Sequence, residues 1–426
     1  MRKLKPAYIV SCMFICVIMI FMISSVCAVA KGISDKMNLT EERTEIKIDW
    51  EALYPFEAGN AEEETKRENI LDRIYSYVKQ NIKQKCDEYS SKKLIGYDTI
   101  VDTAKMYEEK LQWNITPYYE YNGVVKLRDG YLTSYTRSAD ITANAESTIE
   151  LAEFCNQRGI KFFYANLPTK ICVHEDINIS GVLDFSNQNA DRFLAMLNDA
   201  GVRNYDFRKL LHEDGMNHHE AFYVTDHHWK VETGLWAAGH ILRILHDDYG
   251  YDVNPEVLNP DRFDYVIYPE WFLGSQGKKI TLERTHPDDF TMIYPKFNTH
   301  IHYEIPSKEI NISGDFTVTY DMQAVESKDY YLKNPYEAYD YGLKAVKKFD
   351  NTSASNNNKV LVLYDSFAIC VTPFIALDIK HIEALNRMTF NGSIKRYIDT
   401  YNPDTVILIL NSNEIGSLDF NYFDLR

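Results

Sequence analysis

Cysteine is sparse and scattered in this chain, with seven in 426 residues. Cys12, Cys16 and Cys27 fall in an apolar segment at the start, and Cys86, Cys155, Cys172 and Cys370 lie far apart. No pair has CxxC spacing, which argues against a zinc site, and no clustered set suggests a disulfide framework. A phosphate-cradling loop and a dinucleotide fingerprint are also missing, so no nucleotide and no other cofactor is expected. Positive charge is short as well: 46 Lys and Arg against 62 Asp and Glu leave a net charge of −16. An acidic surface should repel nucleic acid and anionic lipid, and as a whole it suits a neutral or cationic substrate.

What is present is a chain able to bury a large core, 45% hydrophobic and 25% charged. Its 31 tyrosines suit a wet, polar binding surface such as one for sugar, although most will be ordinary core and surface residues. Residues 7–30 carry no charge and follow Arg2, Lys3 and Lys5. Such a run is long enough to span a bilayer. It is expected to be a single-pass membrane helix, or a signal peptide cleaved after Ala28-Val29-Ala30. Either way, residues 31–426 would lie outside the cytoplasm, attached to the cell membrane or secreted. Residues 31–114 are expected to form a polar tether and amphipathic helices, with Ile70, Ile74, Val78 and Ile82 at four-residue steps.

From residue 115 onward the pattern becomes α/β. A hairpin is predicted around Val124–Leu127 and Tyr131–Leu132, and helices over 143–159 and 186–200. Strands are predicted over 161–167, 204–207, 359–364, 381–385 and 404–410. A helix carries the stripe Val231, Leu235, Ala238, Leu242 and Leu245. Strands alternating with helices imply a mostly parallel sheet flanked by helices. Residues 250–330 are predicted to be a β-rich insertion, with an alternating run at Phe316–Tyr320. After Ser366 a helix is expected to reach about Asp378, disturbed by Pro373.

Chemistry concentrates in Thr225-Asp226-His227-His228-Trp229. Residues two apart do not share a helix face, so Asp226 and His228 work together only where the chain is irregular. A carboxylate beside an imidazole is an orienter and a base, and the pair needs a nucleophile. Ser366 is the candidate, just after an apolar strand, where open α/β sheets place their chemistry. Its N–H would be free to hold an oxyanion, although Ser366 could instead simply cap the helix. His218 and His219 form another pair. Neighbours in sequence cannot easily share one ion, so no metal site is expected.

Five segments carry a family resemblance: Thr225-Asp226-His227-His228-Trp229, Tyr364-Asp365-Ser366-Phe367, Leu167-Pro168-Thr169-Lys170, Phe272-Leu273-Gly274-Ser275-Gln276-Gly277 and Leu127-Arg128-Asp129-Gly130-Tyr131. Over about residues 115–415 the chain resembles the DHHW family of exported bacterial proteins, in the SGNH-hydrolase-like clan of alginate-type O-acetyltransferases. The resemblance implies Ser366 as nucleophile, His228 as base and Asp226 as its orienter, with His227 between them. It also implies an SGNH-like domain over 115–426. The function would be that of an acyltransferase or acetylesterase on O-acetyl groups of envelope or secreted polysaccharide, with a membrane-bound O-acyltransferase as the acetyl source. The alternative is a non-catalytic polysaccharide-binding or envelope-assembly protein on the same scaffold. Two departures favour that alternative: Tyr364 stands where many relatives have Gly, and the Gly-x-Asn-Asp oxyanion block is absent. Gly274 and Asn411, with Asn413 nearby, are candidates to complete the oxyanion hole. Trp229, Arg387 and Lys170 are candidates to meet substrate, although a tryptophan beside the base more often packs and Arg387 could instead form a salt bridge.

Overall fold

The computed structural model describes residues 120–121, 123–127, 129–172, 184–416 and 420, all within one compact unit, Thr116–Arg426. The expected membrane segment, tether and amphipathic helices lie outside the described residues. Among the described residues no helix is long and apolar enough to cross a membrane.

Strands β1 (Glu120–Tyr121), β2 (Val124–Lys126) and β3 (Leu132–Thr133) form a small antiparallel sheet that contains the expected hairpin. Then come helix α1 (Thr142–Asn156), β4 (Lys161–Leu167), α2 (Ser186–Asp199), β5 (Asn204–Asp206), α3 (Phe207–Glu213) and α4 (Val231–Asp247). Gly159 and Gly201 follow α1 and α2 with φ of 71°, a left-handed exit that glycine takes without strain. Next are β6 (Phe263–Phe272), the short α5 (Ser275–Ile280), β7 (Asp288–Pro295), β8 (Ile301–Ile305) and β9 (Ile310–Gly314). The chain closes with β10 (Val346–Asn351), β11 (Lys359–Tyr364), α6 (Thr372–Ile375), β12 (His381–Asn386), α7 (Ile394–Tyr401) and β13 (Thr405–Asn411).

The main sheet has eight strands in the order β5-β4-β13-β11-β12-β10-β8-β9. The first five run parallel, whereas β10, β8 and β9 pair antiparallel. The sheet is therefore mixed, with a parallel block of five strands and an antiparallel edge of three. The β-rich stretch after residue 250 splits in two: β8 and β9 extend the main sheet, while β6 and β7 form a separate ribbon.

Strands β4, β11 and β13 are apolar on both faces because both faces are covered. Phe163, Val362, Tyr364, Ile407 and Ile409 pack with α4 and the ribbon, while Phe162, Leu361, Leu363, Val406 and Leu408 pack with α1, α2 and α7. The alternation along each strand thus feeds two separate cores.

Two local expectations fail. The run Phe316–Thr319 is a 3-10 turn, not a strand, because the Asp315 carboxylate accepts the Thr317 N–H and caps it. The helix after Ser366 is a 3-10 turn, Ser366–Cys370, followed by the four-residue α6, whose first turn contains Pro373. Proline lacks the N–H that a continuous helix would need there.

Candidate active site

Ser366 lies just beyond the carboxyl end of β11, where Asp365 turns the chain into the 3-10 turn. The cap of that turn is Asp365, not Ser366: its carboxylate accepts the Phe367 N–H at 2.9 Å and the Asn411 N–H at 2.5 Å. Capping by Asp365 leaves the Ser366 hydroxyl available, and it meets His228 Nε2 at 2.7 Å. The other ring nitrogen, Nδ1, lies 2.5 Å from Asp226 Oδ1. Ser366, His228 and Asp226 therefore form one continuous hydrogen-bonded chain.

The loop that carries the acid and the base is held from several sides. An isolated bridge joins Phe222 to Trp229, and the segment between them is irregular, as the Asp226-x-His228 spacing requires. The Asp288 carboxylate, on β7, accepts the N–H groups of Val224 and Thr225 at 2.7 and 2.8 Å and the Thr225 hydroxyl at 2.6 Å. Asp226 accepts the His228 N–H at 3.0 Å, and its second oxygen takes the Ser275 N–H at 2.6 Å. Burial alone would raise the Asp226 carboxyl. The neighbouring His227 and His228 and the Ser275 N–H outweigh it and hold Asp226 well below the usual carboxylate range.

Rings enclose the base. The His228 ring centroid lies 3.8 Å from that of His227 and 4.2 Å from that of Tyr336, whose hydroxyl donates to the Phe367 carbonyl. His227 is more than a spacer, since its Nδ1 lies 2.9 Å from Ser275 Oγ and 43% of its side-chain surface is open. Desolvation by the atoms crowded around it, then the nearby His228, lower its pKa, while Asp226 opposes the shift. Asp226, His227 and His228 could bring three ligand atoms within 4.8 Å of one another. Both nitrogens of His228 are engaged in the chain to Ser366, however, so a metal there would compete with it.

The oxyanion candidates divide. No acceptor among the described residues takes the Ser366 N–H, which opens the turn. Gly274 is excluded because its N–H donates to Thr225 Oγ1 at 2.8 Å. Asn411 is excluded too: its N–H serves Asp365, and its amide donates to the Pro168 carbonyl at 2.5 Å. Asn413 donates its N–H to Asn411 Oδ1.

Two of the substrate candidates, Trp229 and Lys170, are held by internal partners. Trp229 is fully buried and donates its indole N–H to the Phe367 carbonyl at 3.0 Å, so it packs and does not stack on sugar. Lys170 is buried, and its ammonium donates to Leu132 O, Val224 O and Gln276 Oε1. Burial pushes that group down to about 7, although the nearby Asp288 opposes the shift. Arg387 has its guanidinium 4.1 Å over the Phe420 ring. Its charge also reaches Asp365, whose carboxyl burial and Glu414 push up to about 7 against the pull of the Asn411 and Phe367 N–H groups and of Arg387. Tyr364 is buried in the core with its hydroxyl on the Lys344 carbonyl at 3.1 Å. His218 and His219 fasten loops: His218 donates to the Thr169 carbonyl, and His219 pairs with Asp129.

Asp288, Ser275 and Tyr336 were not singled out from the sequence for these roles. Ser275 had a signal, its place in the Gly274-Ser275-Gln276-Gly277 motif, whereas Asp288 and Tyr336 sit in unmarked loop and strand sequence.

The fold is SGNH hydrolase-like, an α/β arrangement around a large mixed sheet. Residues 127–256 match the family model described as an SGNH hydrolase-like domain, acetyltransferase AlgX, a span that includes Asp226 and His228 but ends before Ser366. Among solved structures, Bacillus cereus PatB1 with a sulfonyl adduct is similar with a TM-score of 0.59 at 16% identity, covering 71% of this chain and 98% of its own. A DHHW family protein from Eubacterium siraeum gives 0.51 at 17% identity, covering 70% of this chain and 94% of its own. At such identities the likeness is one of fold. No curated protein sequence matches the chain. The resemblance to the DHHW and SGNH-like acetyltransferase groups seen in the sequence is therefore borne out.

Proposed function

We propose that the protein is a serine acyltransferase or esterase acting on O-acetyl groups of polysaccharide. The observation that carries this reading is the unbroken chain from Ser366 Oγ through His228 to Asp226. The acetyltransferase description of the matching family supports the choice of acyl group.

In the proposed reaction Ser366 Oγ bonds to the acetyl carbonyl carbon as its proton passes to His228 Nε2. The carbonyl electron pair moves to oxygen, and the resulting oxyanion faces the Ser366 N–H. One such donor typically contributes about 3 kcal/mol to the transition state. The intermediate collapses, and the departing alcohol oxygen takes the proton from His228. A glycan hydroxyl, or water, then gives its proton to His228 and bonds to the acyl carbon, and Ser366 leaves reprotonated. Asp226 holds the imidazole with Nδ1 protonated and offsets its charge.

We further propose that the domain works outside the cytoplasm, attached through the apolar run 7–30 or released after Ala30. A membrane-bound O-acyltransferase would then be the acetyl source.

The test is covalent labelling of the full chain with a fluorophosphonate, and with a sulfonyl fluoride, since a similar fold was solved with a sulfonyl adduct. The expected result is a single mass shift on Ser366 that is absent from Ser366→Ala. No labelling, together with no hydrolysis of acetyl esters, would leave the non-catalytic glycan-binding reading in its place.

A further inference from the structure

In the stretch Asp226–Trp229 only His227 opens to solvent. Its side chain is 43% exposed, against 4% for Asp226 and 8% for His228, and Trp229 is fully buried. His227 and Ser275 line a groove of about 660 Å3 beside the site, and His228 is not in its walls. The His227 ring is braced from behind. Its Nδ1 lies 2.9 Å from Ser275 Oγ, and the Ser275 N–H is itself fixed on Asp226. The other ring nitrogen, Nε2, has no hydrogen-bond partner among the described residues. With the Ser275 hydroxyl donating to Nδ1, the ring proton sits on Nε2. The ring centroid is 3.8 Å from that of His228. A hydroxyl that reaches the base from the groove therefore stands beside a second imidazole with a free N–H. A mere spacer between acid and base would need neither the opening nor the brace.

We propose that His227 is a specificity-determining residue for the second half of acyl transfer, and that it favours a vicinal diol over water. The proposal rests on the acyl-transfer reading of Ser366. One hydroxyl of the diol bonds through its oxygen to the acyl carbon and gives its proton to His228 Nε2. The bond from that carbon to Ser366 Oγ then breaks, and Oγ takes the proton from His228. Meanwhile the neighbouring hydroxyl accepts a hydrogen bond from His227 Nε2–H. Holding the second hydroxyl restricts the first to the attacking geometry, and orientation of this kind lowers a barrier. Water can meet the base, but it has no second oxygen at a fixed distance from the attacking one, so His227 does not orient it in this way.

The test supplies the full chain with nitrophenyl acetate as acetyl donor and with trans vicinal cyclohexanediol or cyclohexanol as acceptor. The readout is the ratio of acetylated acceptor to free acetate. That ratio is set after the acyl-enzyme forms, so a change in the rate of acylation does not enter it. In the native chain the diol should capture the acetyl group about tenfold better per hydroxyl than the mono-alcohol, the size expected of one added hydrogen bond. His227→Phe keeps a flat ring without the N–H and should remove that preference, whereas His227→Gln keeps a donor and should restore part of it. Should the phenylalanine variant fail to fold, His227→Leu makes the same comparison. A ring that only packs against His228 would alter both acceptors alike. Equal capture of the two acceptors by the native chain, or a diol preference that survives loss of the N–H, overturns the proposal. Absence of acetate together with no labelling of Ser366 would instead remove the acyl-transfer reading, so the two failures are distinguishable.

Discussion

The backbone at Gly274 runs so close to Asp226 that a Cβ placed on Gly274 would stand 2.2 Å from the Asp226 Cβ. The φ of Gly274 is −70°, which any residue can adopt, so glycine is needed there for space and not for conformation. The close approach brings the Ser275 N–H to Asp226 and the Gly274 N–H to Thr225.

Gly274→Ala should therefore push the two segments apart. Overpacking of this kind typically costs about 1–3 kcal/mol. Ester hydrolysis should fall further than stability alone explains, because Asp226 loses its second support. Chemical denaturation and kcat measured on the same preparation check this, and an alanine variant with native kcat would count against the argument.

Ser366→Ala and His228→Ala should each lower acetyl-ester hydrolysis by at least about a thousandfold, as removal of a nucleophile or its base does in serine hydrolases. Far-ultraviolet dichroism should remain native. Because the two act as a unit, the double variant should be little worse than either single one.

The Asp226 carboxyl is held below the ordinary range by its histidine neighbours and the Ser275 N–H. A carboxyl with a depressed folded pKa stabilises the fold above its unfolded value of about 3.9, and that contribution is lost as pH falls through the folded value. Asp226→Asn should thus be less stable than the native chain at pH 7, with the gap closing as pH drops below about 4. Urea midpoints at pH 7, 5 and 3 give the comparison, and a gap that does not change with pH would contradict it.

Asp288 accepts three hydrogen bonds from Val224 and Thr225. Asp288→Ala would leave the buried Thr225 N–H without its acceptor, at about 1–3 kcal/mol, and would also release the part-buried Val224 N–H. The site should loosen with it, giving a lower kcat for ester hydrolysis as well as a lower melting temperature.

The sequence made the parallel part of the sheet and the juxtaposition of Ser366, His228 and Asp226 legible for physical reasons. Buried strands such as Lys161–Leu167 and Thr405–Asn411 need apolar residues on both faces. The Asp226-x-His228 spacing made sense only in an irregular segment facing a partner. Less legible were features set by contacts across long separations. Nothing in the sequence around Asp288 marks it as the clamp on Val224 and Thr225. Trp229 and Lys170 carry side chains that suit sugars and anions, and both turned out to be spent on internal acceptors. In the sequence Gly274 reads as a potential donor, whereas in the fold its role is to be small. The antiparallel turn of β10, β8 and β9 depends on register between strands distant in sequence, which periodicity alone does not report.

The clamp through Asp288 also gives the order of the chain a meaning in time. The acid and base come first, the ribbon that holds them follows, and the nucleophile arrives 138 residues after the base. During synthesis, then, the chain exposes the base and its orienter well before the oxygen they would activate. A product that stops short of residue 366 has nothing to acylate. One cut between residues 288 and 366 would divide the activity between two fragments, each inert alone, and mixing them should restore it only if β13 of the later fragment can pair again with β4 of the earlier one.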